Sequence, residues 1–264
     1  MKLLITGATG GMGEEIIKIF RKNSYEVIAL GRDKKRLKKL EENYQVKSYS
    51  INIEEEIEIE KFLEDIEDEE IDVVINGAGI GEIDYFENME YEKIKKLIEI
   101  NSIALTKITH HFYKKMIERG NGKIINISST AGFQEGGPLM SVYYGTKAYV
   151  NSLTLSLYEE GREKGVEIYL LTPGPTKTKF KGMDRELSKF EKIYVTTPEE
   201  VAIELWKGVE RKKKIIIPGK INKILYFIDK FIPLEVKLKS IKKNSRKKDK
   251  KIVLFLEKNG IMFL

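Results

Sequence analysis

A tyrosine and a lysine stand four apart in Tyr143-Tyr144-Gly145-Thr146-Lys147. On a helix that spacing puts both on one face. An ammonium there can draw a phenol down from its usual pKa of about 10, so that it serves as a general acid or base. In a chain with 13 tyrosines the pair alone carries little weight. Its weight comes from its neighbours. Ile127-Ser128-Ser129-Thr130-Ala131-Gly132 lies upstream and Leu171-Thr172-Pro173-Gly174-Pro175-Thr176-Lys177-Thr178 downstream, both at the ends of apolar runs.

A second chemistry is written at the amino terminus. An apolar run enters Thr6-Gly7-Ala8-Thr9-Gly10-Gly11-Met12-Gly13 and a helical pattern follows at once. Glycines there let backbone approach a pyrophosphate, which then rests on a helix N-terminus. Two spacings fit, Gly7/Gly11/Gly13 and Gly7/Gly10/Gly13. A further run ends in Ala29-Leu30-Gly31-Arg32-Asp33. NAD-preferring folds place a carboxylate there for the ribose 2′-hydroxyl. Here Gly31 takes that place and Arg32 follows, a planar fork suited to a 2′-phosphate. NADP(H) is favoured on this reading. NAD(H) stays open if a slipped register brings Asp33 to the ribose, and a bland reading has Arg32 cap a surface turn. Ile75-Asn76-Gly77-Ala78-Gly79 closes another run.

These loops need a scaffold that lines them up. Strands are predicted at 2–6, 26–30, 46–51, 72–76, 123–128, 167–171 and 214–217, mostly as continuous apolar runs, as in a sheet covered on both faces. Helices are predicted at 11–22, 34–43, 55–66, 91–118, 141–164 and 198–211. The alternation specifies an α/β fold, a doubly wound, Rossmann-like parallel sheet of about seven strands with helices on both faces. Ligands of such sheets sit beyond the carboxyl ends of the strands.

Composition excludes other chemistry. The 264 residues include no cysteine, only two histidines and one tryptophan, so disulfides, thiolate nucleophiles and cysteine-ligated metals are absent. No metal site is expected. The first residues are too short an apolar run for a signal peptide, and no apolar stretch reaches about 18 residues. A cytoplasmic protein is expected. Net charge is +6, yet residues 211–251 carry 16 lysines and arginines against Asp229, Glu235 and Asp249, leaving −7 for the rest.

Taken in order, the glycine motif, Asn-Gly-Ala-Gly, Asn101, Ser-Ser-x-Ala-Gly, Tyr-xxx-Lys and Pro-Gly resemble the short-chain dehydrogenase/reductase family, in its single-domain branch, over residues 2–217. The resemblance selects the Gly7/Gly11/Gly13 spacing. It implies Tyr143 as proton donor to a carbonyl, or base for an alcohol. Lys147 would hold the nicotinamide ribose and depress the Tyr143 pKa, Ser129 would bond the substrate oxygen as charge develops, and Asn101 would anchor a proton-relaying water. Thr6, Gly7, Gly11, Met12 and Gly13 would cradle the pyrophosphate, and Asn52, Asn76, Ala78 and Gly79 would flank the adenosine side. Pro173, Gly174, Thr176 and Thr178 would line the nicotinamide end, with Thr178 orienting the carboxamide. A small-molecule carbonyl or alcohol is the implied substrate and a homodimer or homotetramer the implied assembly, paired through 91–118 and 141–164.

Three departures stand out. Gly77 replaces a usual second Asn, which could loosen hydrogen bonding at the strand end. Asn52 replaces a common acid after the third strand. Ser129 precedes Tyr143 by 14 residues, one more than usual, which places an extra residue in the loop 134–139; Ser128 and Thr130 are the fallbacks.

Elsewhere the readings are plainer. Adjacent His110 and His111 point around a helix in different directions, and acidic runs at 54–56 and 67–70 read as solvated faces. Trp206 is read as packing near the substrate end. Phe180, Met183, Leu187, Phe190 and Tyr194 would form a mobile lid over a hydrophobic substrate. Residues 218–264 form a basic helical extension packed on the 1–217 domain. Its Ile221, Ile224, Leu225, Ile228, Phe231 and Ile232 stripe ends at Pro233. The stripe would pack over the active-site rim or a partner subunit, or lie on anionic lipid as a peripheral membrane contact. Nucleic acid is not expected, because no aromatic stacking platform accompanies the lysines. The sequence thus reads as an NADP-preferring carbonyl reductase; a 3-oxoacyl-thioester reductase of fatty-acid synthesis and a non-catalytic NADP-binding sensor are the alternatives.

Overall fold

The computed structural model describes residues 1–178, 191–229 and 231–239. Seven strands form one all-parallel sheet in the order β3-β2-β1-β4-β5-β6-β7. They are β1 (Lys2–Thr6), β2 (Glu26–Gly31), β3 (Lys47–Ser50), β4 (Val73–Asn76), β5 (Gly122–Ile127), β6 (Val166–Leu171) and β7 (Ile215–Ile216). The helices α1 (Gly11–Lys22), α2 (Lys34–Tyr44), α3 (Glu56–Asp65), α4 (Tyr91–Ile98), α5 (Leu105–Arg119), α6 (Ser141–Arg162), α7 (Glu191–Tyr194), α8 (Pro198–Glu210) and α9 (Lys220–Asp229) follow in chain order.

Side-chain alternation along each strand divides the core. Leu3, Ile5, Val27, Ala29, Val73 and Ile75 face α1, α2 and α8, meeting Ile16, Ile17, Phe20, Leu37 and Leu205. Leu4, Ile28, Leu30, Val74 and Ile124 face the other way, onto Phe62 of α3 and Ile108, Phe112 and Met116 of α5. Both faces are therefore dry, which is why the strands read as unbroken apolar runs. The register pairs Thr6 with Leu30 and Asn76, and Asn76 with Asn126. Strand ends thus lie level along one edge. The chain order reverses between β1 and β4, where a crevice opens.

One buried polar chain interrupts this core. Asn76 Nδ2 donates to Thr109 Oγ1 and to Asn126 Oδ1, both at 2.9 Å. Asn126 Nδ2 donates to Thr154 Oγ1 at 3.0 Å, and that hydroxyl donates to the Val150 carbonyl at 2.6 Å.

Three expectations are corrected. The predicted helix 91–118 carries a π-helical turn, Glu99–Ala104, between α4 and α5. Trp206 lies away from the substrate end: it stacks edge-on against Phe20 and Tyr25, at 5.2 and 6.1 Å, and Tyr25 precedes β2 at the opposite edge of the sheet. Helix α9 ends at Asp229, a further helical stretch covers 234–239 after Pro233, and the apolar stripe of α9 faces outward and not onto the active-site rim. The expected lid residues 180, 183, 187 and 190, and the tail beyond 239, lie outside the described residues.

Candidate active site

Gly7 turns the chain after β1 with φ +71°, a left-handed conformation that favours glycine. A Cβ there would stand 2.7 Å from Ala78 N, and one at Gly13 would stand 2.7 Å from Ala8 O. The loop therefore hugs both β4's exit and the start of α1, leaving the helix N-terminus to the crevice. Gly10 N–H donates to Gly7 O at 3.0 Å, and Gly10 caps α1 without any side chain. Bare backbone at a helix N-terminus fits a pyrophosphate. Gly11 opens α1 against the Thr178 side chain. Met12 turns its side chain toward the core, so only its main chain can serve the crevice. Thr6, buried, accepts from Gly77 N–H (3.0 Å) and Ala78 N–H (3.1 Å), so this hydroxyl fastens the β4 loop. The loosening expected from Gly77 is thereby offset. Asn76 commits its Nδ2 to the buried chain, while its Oδ1 is buried without a hydrogen-bond partner.

On the catalytic side, Lys147 Nζ donates to the Ile127 carbonyl at 3.0 Å and lies 5.9 Å from the centre of the Tyr143 ring. Burial lowers the Lys147 pKa to about 8. Burial also pushes Tyr143 up to about 12, and a hydrogen bond from Ser129 works the other way. Ser129 thus draws the phenol down, while the low dielectric keeps it protonated. Ser129 Oγ also accepts the Ala131 N–H at 3.1 Å, which fixes its position ahead of a 3₁₀ turn, Thr130–Phe133. Of the two fallbacks, Ser128 donates to the Lys147 carbonyl at 3.1 Å, and Thr130 N–H donates to the Pro173 carbonyl at 3.0 Å. Ser129 is the hydroxyl that meets Tyr143.

Asn101 sits in the π turn, a device common at functional sites. Its Oδ1 accepts Ile80 N–H and its Nδ2 donates to Ile80 O, both at 2.9 Å. The second Nδ2 proton goes to Thr146 Oγ1 at 3.1 Å, and Thr146 donates to the Tyr143 carbonyl at 2.8 Å. Thr146, which sequence reasoning passed over inside Tyr-xxx-Lys, thus ties Asn101 to the catalytic helix. A Cβ at Gly79 would lie 3.4 Å from Asn101 Oδ1 and 3.5 Å from Lys147 Nζ, so these two groups border one small space.

At the end of β2 Arg32 is exposed. Asp33 is the N-cap of α2: it accepts the Arg36 N–H at 3.1 Å and pairs with Arg36 Nε at 3.4 Å. Its carboxylate is turned to the helix. Arg36, missed in the sequence among neighbouring lysines, donates to Thr9 O at 3.2 Å and so brings its guanidinium to the glycine loop. Asn52 lies after β3, where its Oδ1 accepts Glu54 N–H at 3.4 Å.

Pro173 and Gly174 follow β6. Thr176 and Thr196 form a parallel bridge, their hydroxyls 3.2 Å apart. Asn222 of α9 was also missed. It is 4% exposed and donates to Tyr194 O (3.1 Å) and Pro218 O (3.0 Å), and a Cβ at Gly174 would come within 2.7 Å of its amide. The extension closes on the loop after Ser129 as well. Phe133 and Tyr226 rings lie 4.5 Å apart, and buried Lys237 bonds Glu135 at 2.7 Å and Asp229 at 2.9 Å. No feature of the sequence pairs Lys237 with a glutamate 102 positions earlier.

A groove of about 750 Å³ lies elsewhere, on the outer face of the π turn, α5 and α6, lined by Ile98, Ile103, Thr106, Val142, Gly145 and Tyr149. His110 borders it, whereas His111 stacks edge-on against Phe112. Among the described residues no three His, Asp or Glu side chains gather as metal ligands.

Comparison with known proteins agrees with this arrangement. The family model for short chain dehydrogenases matches residues 2–189. The chain is 31% identical over 220 residues to the NADP-dependent 3-hydroxy acid dehydrogenase YdfG of Salmonella typhi, covering 78% of this chain and 88% of that protein. It is 32% identical over 187 residues to the very-long-chain 3-oxoacyl-CoA reductase of Rattus norvegicus, covering 64% of this chain and 57% of the rat protein. Among solved structures, a short-chain dehydrogenase from Sphingobium yanoikuyae in complex with NADPH superposes with a TM-score of 0.74 at 26% identity, covering 82% and 87% of the two chains.

Proposed function

The chain belongs to the short-chain dehydrogenase/reductase family, and within it we propose an NADP-preferring reductase of a hydrophobic carbonyl compound in which Tyr143 gives up the proton. It is an oxidoreductase working between alcohol and carbonyl with NAD(P). The observation that carries the finer reading is the Tyr143 phenol, held protonated by burial and hydrogen-bonded by Ser129, beside Lys147.

A bound nicotinamide dinucleotide supplies the hydride. The residues of the chain do the rest. Ser129 and Tyr143 hydroxyls bond the carbonyl oxygen and strengthen their hold as charge grows there. Tyr143 then passes its proton to that oxygen. Lys147, cationic below about pH 8, stabilises the phenolate left behind and can return a proton to it. Asn101 fixes Ile80 and Thr146, and so the wall on which Lys147 stands. Gly7, Gly11 and Gly13, with the main chain of Met12, hold the pyrophosphate. Thr6, Asn76, Ala78 and Gly79 shape the opposite lip, Asn52 borders the adenine, and Pro173, Gly174, Thr176 and Thr178 border the nicotinamide.

NADP preference is supported by Arg32 exposed just beyond β2, by Arg36 reaching the glycine loop and by Asp33 being engaged at α2. The name of the bacterial relative agrees. A hydrophobic substrate is supported by Phe133 and Tyr226 beside the loop that carries Ser129. A second reading, reduction of a 3-oxoacyl thioester, is favoured by the rat relative's name. The apolar groove on α5 and α6 supports a homodimer or homotetramer. A cytoplasmic location fits a cysteine-free chain, and no helix of the described residues is long and apolar enough to cross a membrane.

The deciding experiment follows NADPH and NADH oxidation against ketones, aldehydes and 3-oxoacyl thioesters, with Tyr143→Phe in parallel. Turnover abolished by Tyr143→Phe while NADPH still binds supports the reductase. Tight NADPH binding with no turnover on any of these substrates leaves a binding module instead.

A further inference from the structure

Helix α9 is turned against the usual rule for a helix on a water-soluble protein. The residues it directs inward are polar: Asn222, Tyr226 and Asp229 (i, i+4, i+7) meet Tyr194 O, the Phe133 ring and Lys237. The stripe directed outward is apolar: Ile224, Phe227 and Ile228 of α9 and Phe231 in the turn just after it are 51, 62, 47 and 73% exposed. Leu234 and Val236, in the helical stretch 234–239, extend the exposed surface. A helix so placed exposes its apolar stripe by construction, since the inward contacts fix its rotation. Contiguous apolar surface of this kind marks a place of contact.

Charge indicates what it touches. Lys220, Lys223 and Lys239 flank the stripe, and the sequence adds seven lysines and arginines between 242 and 251. The rest of the chain, outside 211–251, is net negative. A second copy meeting this face would oppose one lysine-dense segment to another, whereas an anionic surface is attracted here and repelled elsewhere.

We propose that the outward face of α9 and the turn after it is an interfacial docking surface for anionic phospholipid bilayers, with Phe227 and Phe231 entering the headgroup boundary. No span is involved; the helix lies in the plane of the interface. Docking is independent of the catalytic reading. It has a geometric consequence for that reading, because Phe133–Tyr226 and Glu135–Lys237 join the extension to the loop after Ser129. The docked protein presents that loop at the lipid.

The test is flotation of the full-length protein with phosphatidylcholine vesicles, with and without about a third phosphatidylserine, at about 0.1 M and 0.5 M salt. The phosphatidylserine vesicles should carry the protein at low salt, with binding falling at least about tenfold at high salt. A Phe227→Ser/Phe231→Ser variant should lose at least about tenfold in binding while keeping its melting temperature and its NADPH affinity, because both rings are exposed and stack mainly on each other. The proposal is overturned by absent flotation, by equal binding to neutral vesicles, or by a variant that binds as the parent does. It is equally overturned if the two substitutions change the sedimentation of the protein alone, since the face then belongs to a second copy.

Discussion

Lys147 and Ile127 are joined at 3.0 Å, ammonium to carbonyl, and the residue after Ile127 returns the contact, since Ser128 Oγ donates to the Lys147 carbonyl at 3.1 Å. The end of β5 therefore clasps one residue of α6 at both its side chain and its backbone. The lysine is held within a dry wall, and its reduced pKa follows from that position.

Carbonyl reduction should accordingly fall as pH rises through about 8, where Lys147 loses its charge. The folded pKa lies below the ordinary lysine value, so stability contributed by this group should rise with pH above about 8 and level off near the unfolded pKa. At pH 7 the charged form is buried at a cost. Lys147→Met should abolish turnover yet raise stability by about 1–2 kcal/mol, the lost bond to Ile127 offsetting part of the gain. A thermal melt showing clear destabilisation would contradict this account.

Tyr143→Phe should lower kcat by at least about 10³-fold and leave NADPH affinity within about twofold. Ser129→Ala should cost about 10²–10³-fold in kcat, and Ser128→Ala much less. Steady-state kinetics with fluorescence titration of NADPH separates these cases. A Ser128 effect exceeding that of Ser129 would reassign the hydroxyl.

Arg32→Ala should weaken NADPH binding by about 10–100-fold and leave NADH unchanged, since the guanidinium is matched to a phosphate. Arg36→Ala should move the same ratio by a smaller factor, because that side chain already engages Asp33 and Thr9. Equal losses for both cofactors would remove the 2′-phosphate assignment.

Gly174→Ala would drive a methyl group to 2.7 Å from the Asn222 amide. Destabilisation of about 1–3 kcal/mol is expected, and Asn222→Ala should cost about as much by removing both amide hydrogen bonds from a buried site. The double variant should lose less than the two separate losses together, a coupling that urea melts of all four proteins would measure.

Ile103→Glu, on the α5–α6 groove, should halve the sedimenting mass if that face pairs two copies. An unchanged mass would place any assembly elsewhere.

Most of the scaffold was legible because both faces of the sheet are dry. Runs such as Val73–Asn76 and Val166–Leu171 have no amphipathic alternation to confuse, and α1 begins and ends where glycine and basic residues indicate. The π turn at Asn101 was not legible, since the sequence 91–118 keeps a helical pattern through it. Pairings across long sequence separation, such as Lys237 with Glu135, leave no local trace. Helix α9 misled for a physical reason. An apolar stripe normally faces inward, but Asn222 found the Tyr194 and Pro218 carbonyls and Lys237 bridged two carboxylates, so polar contacts set its rotation.

The chain Asn76–Asn126–Thr154, with Thr109 beside it, has a consequence for how the protein reaches its fold. Strands built almost wholly of Ile, Leu and Val lose little apolar burial if one slides two residues along another, so many misalignments compete. Only the native alignment lets the Nδ2 groups of both asparagines find partners, and the others strand a buried donor at a cost of about 1–3 kcal/mol. The asparagines thus act as a key for the central strands. Leucine at both positions should give a sheet that still collapses, with more slow-folding traps, and with the loops bearing Ser129 and Gly77 no longer bound to arrive level.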